Sequence, residues 1–289
     1  MTTLRVLCVK LPLRPLRATL LFLIISFTVP AQALEGIVNA EKAFAQTSVD
    51  KSTRTAFLEA FDDKTLAFNN GQPSFGRKDW EKRPEGNGYL FWWPVYADVA
   101  ASGDFGYTTG PAVFGPDKST KEAKGGLYYS SVWKKNADGV WKVVADMGSA
   151  TYNPSDNFTA FATTSKPSKA SKKNAASVFE KDRSYDDRLN QKQVSFDASD
   201  FSSEGRIHRR GVAPVISQAS IKNFTETQKY SFEHVGGEVA SSNDMAFTYG
   251  LVKVTFVKDG KENTTPACYI RVWKLVGNEW KIVLDVIGG

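Results

Sequence analysis

Two cysteines and two histidines are all that this 289-residue chain has of the side chains most used for disulfides and transition metals. Cys8, Cys268, His208 and His234 fall into no ligand spacing, so no metal is expected, and no cofactor either. No serine nucleophile elbow, phosphate-cradling glycine loop or dinucleotide fingerprint occurs; Gly86-Asn87-Gly88 is too short and follows no strand. Uninterrupted apolar runs also stay short of the roughly 20 residues that cross a bilayer.

An apolar stretch, Leu20 to Val29, follows Arg5, Lys10, Arg14 and Arg17 and precedes the small-x-small triplet Ala31-Gln32-Ala33. That order predicts a secretory leader over 1–33, removed on export to a periplasmic or extracellular location. The leader holds four of the 37 basic residues and no acidic one, which leaves 33 basic against 31 acidic. A nearly neutral mature chain gives no support to a nucleic-acid partner, and none to a membrane once the leader is gone. Cys8 leaves with it. Cys268 then has nothing to pair with, and its alternation with Ile270 and Val272 predicts a buried strand position.

What is present in abundance is repetition. Ser102-Gly103-Asp104-Phe105-Gly106-Tyr107-Thr108-Thr109-Gly110 returns as Ser242-Asn243-Asp244-Met245-Ala246-Phe247-Thr248-Tyr249-Gly250. Tyr129–Lys134 then matches Tyr269–Lys274 and, after one deleted residue, Trp141–Asp146 matches Trp280–Asp285. Two copies are too few for a solenoid, so each must close its own core. The expected organisation is a first domain over 34–150, a linker over 151–174 rich in Ser, Lys and Pro, and a second domain over 175–289. Ile37, Ala40 and Phe44, then Phe57, Leu58 and Phe61, predict two short helices, with Val178, Phe179 and Tyr185 as a helix stripe in the second copy. Period-two alternation predicts strands over Phe105–Phe114, Leu127–Lys134 and Trp141–Asp146, the last two joined by a hairpin at Asp138-Gly139. Helices followed by antiparallel strands make an α+β unit. On the last strand, strict alternation places Trp280, Ile282 and Leu284 on one face, with Lys281, Val283, Asp285 and Ile287 on the other. Apolar residues on both faces imply helices on one side and the sister domain on the other, an intramolecular pseudo-dimer.

Trp93-Pro94-Val95-Tyr96-Ala97-Asp98-Val99-Ala100, Gly103–Pro111, Val132–Lys135 and Gly139–Asp146 together resemble the SnoaL-like branch of the nuclear-transport-factor-2-like superfamily. The resemblance covers about 36–149 well and 176–288 more loosely. It implies two tandem cone-shaped α+β domains, each with N-terminal helices packed on a curved antiparallel sheet around a pocket that opens at one end. Folds of this kind host isomerases, dehydratases, epoxide hydrolases, polyketide cyclases and plain binding or assembly modules, so function has to come from the site.

Three functions stay open. The first is binding of a small apolar or aromatic molecule in a cavity lined by Trp93, Tyr107, Thr109 and Tyr129, with Phe247, Tyr249, Tyr269 and Arg271 as the counterparts in the second copy. The second is acid–base isomerisation or dehydration with Asp146 or Asp285 as base and Tyr129 or Tyr269 as hydrogen-bond donor, since a carboxyl among apolar strand neighbours has a raised pKa if buried. The alternative for those two acids is a structural bond to Lys142, Lys281 or Arg271. The third function is a non-catalytic assembly module. Asp104 and Asp244, beside a turn, fit capping better than chemistry.

Overall fold

The computed structural model describes residues 29–149, 151, 153, 169–172 and 175–289. Residues 1–28 of the expected leader and most of the expected linker lie outside them.

Two helices open the first unit, and one long helix opens the second. In α1 (Val29–Asp50) the residues Ile37, Glu41, Phe44 and Ala45 share the buried stripe, a helical spacing. Ser52 accepts from the Thr55 amide at 3.0 Å and so starts α2 (Thr53–Ala60). Strand β1 (Phe61–Asn69) follows directly, which makes Phe61 a strand residue rather than the last of a helix stripe. Then come β2 (Gln72–Phe75), α3 (Gly76–Lys82), β3 (Tyr89–Trp92), β4 (Tyr96–Val99), β5 (Phe105–Gly115), β6 (Gly125–Lys135) and β7 (Trp141–Ser149). The second unit runs α4 (Ala176–Lys192), β8 (Phe201–His208), β9 (Val215–Ile216), α5 (Gln218–Asn223), β10 (Lys229–Val239), β11 (Met245–Lys258), β12 (Lys261–Val276) and β13 (Glu279–Gly288). Along α4, Val178, Asp182, Tyr185, Asp186 and Leu189 are buried together.

Each unit is α+β, with its helices packed on one mixed sheet. The first sheet is ordered β2-β1-β7-β6-β5-β3, with β4 also on β5; the second is β10-β11-β12-β13-β8-β9. The same order from the opposite end is the structural form of the sequence repeat. Pairing is antiparallel except between β1 and β7 and between β8 and β13, which are parallel. Asn136 and Gly139 close the β6–β7 hairpin, with Gly139 at φ 75°. Among the described residues no helix is long and apolar enough to cross a membrane.

A bulge recurs in both copies and changes the faces. Val272 pairs with Leu284 while Trp273 pairs with Ile282, so Val283 is the extra residue; Val132–Ala145 and Trp133–Val143 leave Val144 extra in the first unit. Strict alternation therefore fails here. Ile282 packs under α4, whereas Val283, Leu284 and Val286 turn to the other face. Past the bulge, Asp285 and Ile287 return to the helix side.

The faces away from the helices pack on each other. Phe105, Tyr107, Val132 and Met147 of the first unit share one buried cluster with Met245, Phe247, Cys268 and Leu284 of the second. Gly71, at φ 70°, comes so near the second unit that a Cβ there would lie 2.5 Å from Pro266. The polar contacts are reciprocal. Lys274 meets Asp98 at 2.6 Å, and the corresponding Lys134 meets Glu238 at 2.7 Å. Ser242 Oγ accepts from the Ser102 amide at 3.0 Å and donates to Ser102 Oγ at 2.9 Å. Asp244 accepts from the Ala101 amide at 3.0 Å, and Asp104 from Ser241 at 2.5 Å. Contacts of residue i on j and of j on i define an isologous interface, here formed within one chain.

Candidate functional site

Behind each sheet, on the helix side, lies a buried carboxylate contributed by the long helix. In the second unit Thr248 donates to Asp182 at 2.9 Å and Trp273 Nε1 at 3.3 Å. In the first, Thr108 and Trp133 Nε1, 140 positions earlier, donate to Glu41, the indole at 2.9 Å, and Trp92 Nε1 adds a third bond at 2.5 Å. Glu41 and Asp182 are thus equivalent.

The surroundings of the two acids differ in charge. Arg271 is fully buried; its Nη1 reaches Asp182 at 3.0 Å and Asp186 at 2.6 Å, and its Nε reaches Asp285 at 3.0 Å. Burial would lift the Asp182 pKa, but the Arg271 charge and bonds from His234 and Tyr269 bring it down to about 2. Asp186, raised first by burial and opposed by Arg271, sits at about 6. Arg209, 3% exposed, closes the other side of Asp285 at 2.9 Å. Such a network loses several kcal/mol if one partner is removed, because the others are left charged and dry.

Position 131 carries serine where position 271 carries arginine. Ser131 donates to Asp146 at 2.7 Å, and no cation among the described residues forms an ion pair with Asp146 or Glu41. Burial raises Glu41 to about 7, with the Asp146 charge adding to it against the three donors. Burial likewise raises Asp146 to about 6. Tyr129, the equivalent of Tyr269, has its hydroxyl sealed from water and bonded to neither carboxylate; its polar neighbour is Thr108, whose own proton goes to Glu41. Its pKa is pushed far up, first by burial and then by the Glu41 charge.

Two cavities reach these interiors. One of about 780 Å³ opens at the end of the second unit between Arg209, Phe224, Glu226, Tyr230, Phe256 and Ile287. Its polar floor is made by Tyr230, which donates to Glu226 at 2.6 Å, and by Arg209, whose buried Nε has no hydrogen-bond acceptor. The other, about 140 Å³, lies in the first unit between α2, α3 and β7, where Trp80, Asp79, Arg83 and Asp146 line it.

The candidate residues read from the sequence separate by face. Tyr129, Tyr269, Arg271, Asp146 and Asp285 are brought together with the helix acids. Tyr107, Thr109, Phe247 and Tyr249 point the other way, into the sister unit: Tyr107 and Phe247 are in the shared core, Tyr249 meets Phe68 at 5.9 Å, and Thr109 donates to the Tyr129 carbonyl at 2.6 Å. The grouping of Tyr107 and Thr109 with Tyr129 therefore does not form, because Tyr107 registers with Val132 and Thr109 with Ser130, both on the opposite face from Tyr129. Trp93 stacks on Phe91 at 5.8 Å and lines neither cavity. Asp285 takes the structural alternative, bonded to Arg271. Cys268 is fully buried, and burial lifts its thiol to about 11. His208, buried between the units at 3.2 Å from Ser130, is held down at about 3 by burial and two arginines. Glu41, Asp182, Asp186, Arg209 and Glu226 were not legible as a site; the one usable signal is an acid inside an apolar helix stripe at matching spacing, Ile37-Glu41-Phe44 and Val178-Asp182-Tyr185.

No protein-family model matches the chain. No curated protein does. Among solved structures it is similar to a CaMKII hub from S. rosetta (17% identity, 41% of this chain and 98% of that one, TM-score 0.33). It is also similar to a ketosteroid isomerase-like protein from Erwinia carotovora atroseptica (15%, 40% and 96%, TM-score 0.33). A third is an NTF-2 like protein of unknown function from Shewanella oneidensis MR-1 (11%, 39% and 96%, TM-score 0.30).

Proposed function

We propose that the chain is an exported two-unit binding protein that takes up a small, largely apolar molecule at the open end of its second unit. The observation that carries this is the cavity of about 780 Å³, a volume within the range of small-molecule sites, where Phe224, Phe256 and Ile287 offer apolar contact and Arg209, Glu226 and Tyr230 offer a few convergent polar tips. The leader pattern supports export. Native mass spectrometry of the full chain from its own source should show a co-purified molecule. Val254 lines the same cavity, and Val254→Trp, which fills it, should lose that molecule with little change in melting temperature. Retention of the molecule by that variant would remove the proposal.

Acid–base chemistry is a second reading, favoured by Asp146 alone. It lines the smaller cavity and, at about 6, exchanges its proton near neutral pH. Asp285 is closed to such a role by its two arginines.

A further inference from the structure

The second unit fills the middle of its acid cluster with its own guanidinium, and the first unit keeps the surroundings but not the filler. In the second unit the Arg271 guanidinium lies 4.0 Å from the Tyr269 ring, 4.8 Å from Tyr185 and 4.9 Å from Phe232, while its N–H groups bond Asp182 and Asp285. Aromatic faces together with carboxylates are the chemistry that holds an organic cation.

Position by position, the first unit preserves that chemistry. Glu41 stands for Asp182 and Asp146 for Asp285, as their shared partners show. Tyr129 stands for Tyr269. Phe44 stands for Tyr185, since the two make the same edge contact with Trp133 and Trp273, at 6.1 and 5.9 Å. Trp92 stands for Phe232, packed on Phe44 at 4.6 Å. Asp186 has no acidic counterpart, its place being Ala45, so two carboxylates face the position instead of three. The side chain that would neutralise them has become Ser131. A further observation marks the same place: the Tyr129 hydroxyl, in a residue 6% exposed, is sealed from water and bonds neither carboxylate, whereas the matching Tyr269 hydroxyl bonds Asp182 at 2.7 Å and Asp186 at 3.0 Å.

We infer that the first unit is a receptor for a small organic cation, a guanidinium or primary ammonium group, held by Glu41, Asp146 and the rings of Phe44, Trp92 and Tyr129. Of these five, Asp146 lines the cavity of about 140 Å³, which has room for roughly four or five waters or one small ion and is the side from which the cation would come. Asp79 and Arg83 flank that route, and Arg83 is occupied in stacking on Trp80 at 4.2 Å.

The test is calorimetric titration of the full chain with methylguanidinium at pH 8, with N-methylurea as the neutral match in shape. One saturable site for the cation and none for the urea is the expected result. Ser131→Arg, which supplies the filler from within, should abolish uptake, and Asp146→Asn should weaken it at least tenfold. Lowering the pH to 5 should weaken it by a similar factor, as Glu41 and Asp146 gain protons. Val254→Trp, in the other unit, should bind as the parent does. The inference is overturned by absence of saturable binding, by equal uptake of the urea, by unchanged binding in Asp146→Asn, or by loss of binding in Val254→Trp. If Ser131→Arg does not fold, Asp146→Asn decides alone.

Discussion

Glu41 shows how one residue can set a pH limit on a whole domain. Its carboxyl titrates at about 7 in the folded chain, against an ordinary value of 4.5, because burial disfavours the anion more than Trp92, Thr108 and Trp133 favour it. The raised acid is neutral and comfortable below 4.5; between 4.5 and about 7 the unfolded chain loses its proton while the folded one retains it. Stability is therefore fully present at low pH and declines across that window, by on the order of 3 kcal/mol for this group. Asp146 and Tyr129 face it and carry no positive charge, so nothing on the neighbouring strands reverses the sign. Glu41→Gln keeps a carbonyl for Trp92, reverses the Thr108 bond so that the amide donates, and leaves the Trp133 indole with Thr108 as its acceptor. It should flatten the dependence of the denaturation midpoint on pH between 4.5 and 8, and raise the midpoint at pH 8. An unchanged slope in urea melts would mean that Glu41 ionises freely.

At the scale of elements, the turns before β5 and β11 carry more than their own strands. Ser102 donates to Asp104, the Ser242 hydroxyl shares its single proton between Asp244 and Ser102 Oγ, and it accepts from the Ser102 amide, so the two turns are bound to each other. Since the Ser102 and Ser242 side chains bond each other, Ser102→Ala and Ser242→Ala should each cost about 1 kcal/mol, and the double variant clearly less than their sum. Additive losses in a double-mutant cycle would show that the turns act separately. This is also where the repeat was most legible. Asp104 and Asp244 stand out in the sequence because they meet at the pseudo-twofold, and the strand spans follow from the alternation around them. Faces were harder to read. A bulge is one residue of register and leaves no mark in composition, so the side taken by Asp285 and Leu284 depended on Val283 standing outside the ladder. The acids on α1 and α4 were hidden for a different reason: they sit 141 rather than 140 positions apart, one is Glu and the other Asp, and helix stripes keep hydrophobicity without keeping identity.

The whole molecule is held by a core that belongs to neither unit. Phe105 and Phe247 stack at 6.4 Å across it, Tyr96 lies under the Arg206 guanidinium at 3.5 Å, and Ser149 donates to the Ile287 carbonyl at 2.5 Å. Covalent continuity adds effective concentration to this association and no contacts. A specific protease site inserted between residues 160 and 165 should, after cutting, leave two fragments that migrate at the intact mass in native mass spectrometry and separate only in denaturant. Free fragments under native conditions would mean that the linker, not the packing, joins the units.

In a homodimer of identical subunits every substitution is made twice, once on each side of the axis, and a change that suits one pocket is forced upon the other. Placing both copies on a single polypeptide lifts that restriction. Serine at 131 and arginine at 271 are the visible result: one half has been free to seal its interior with charge, while its twin keeps two buried acids bonded only to neutral donors.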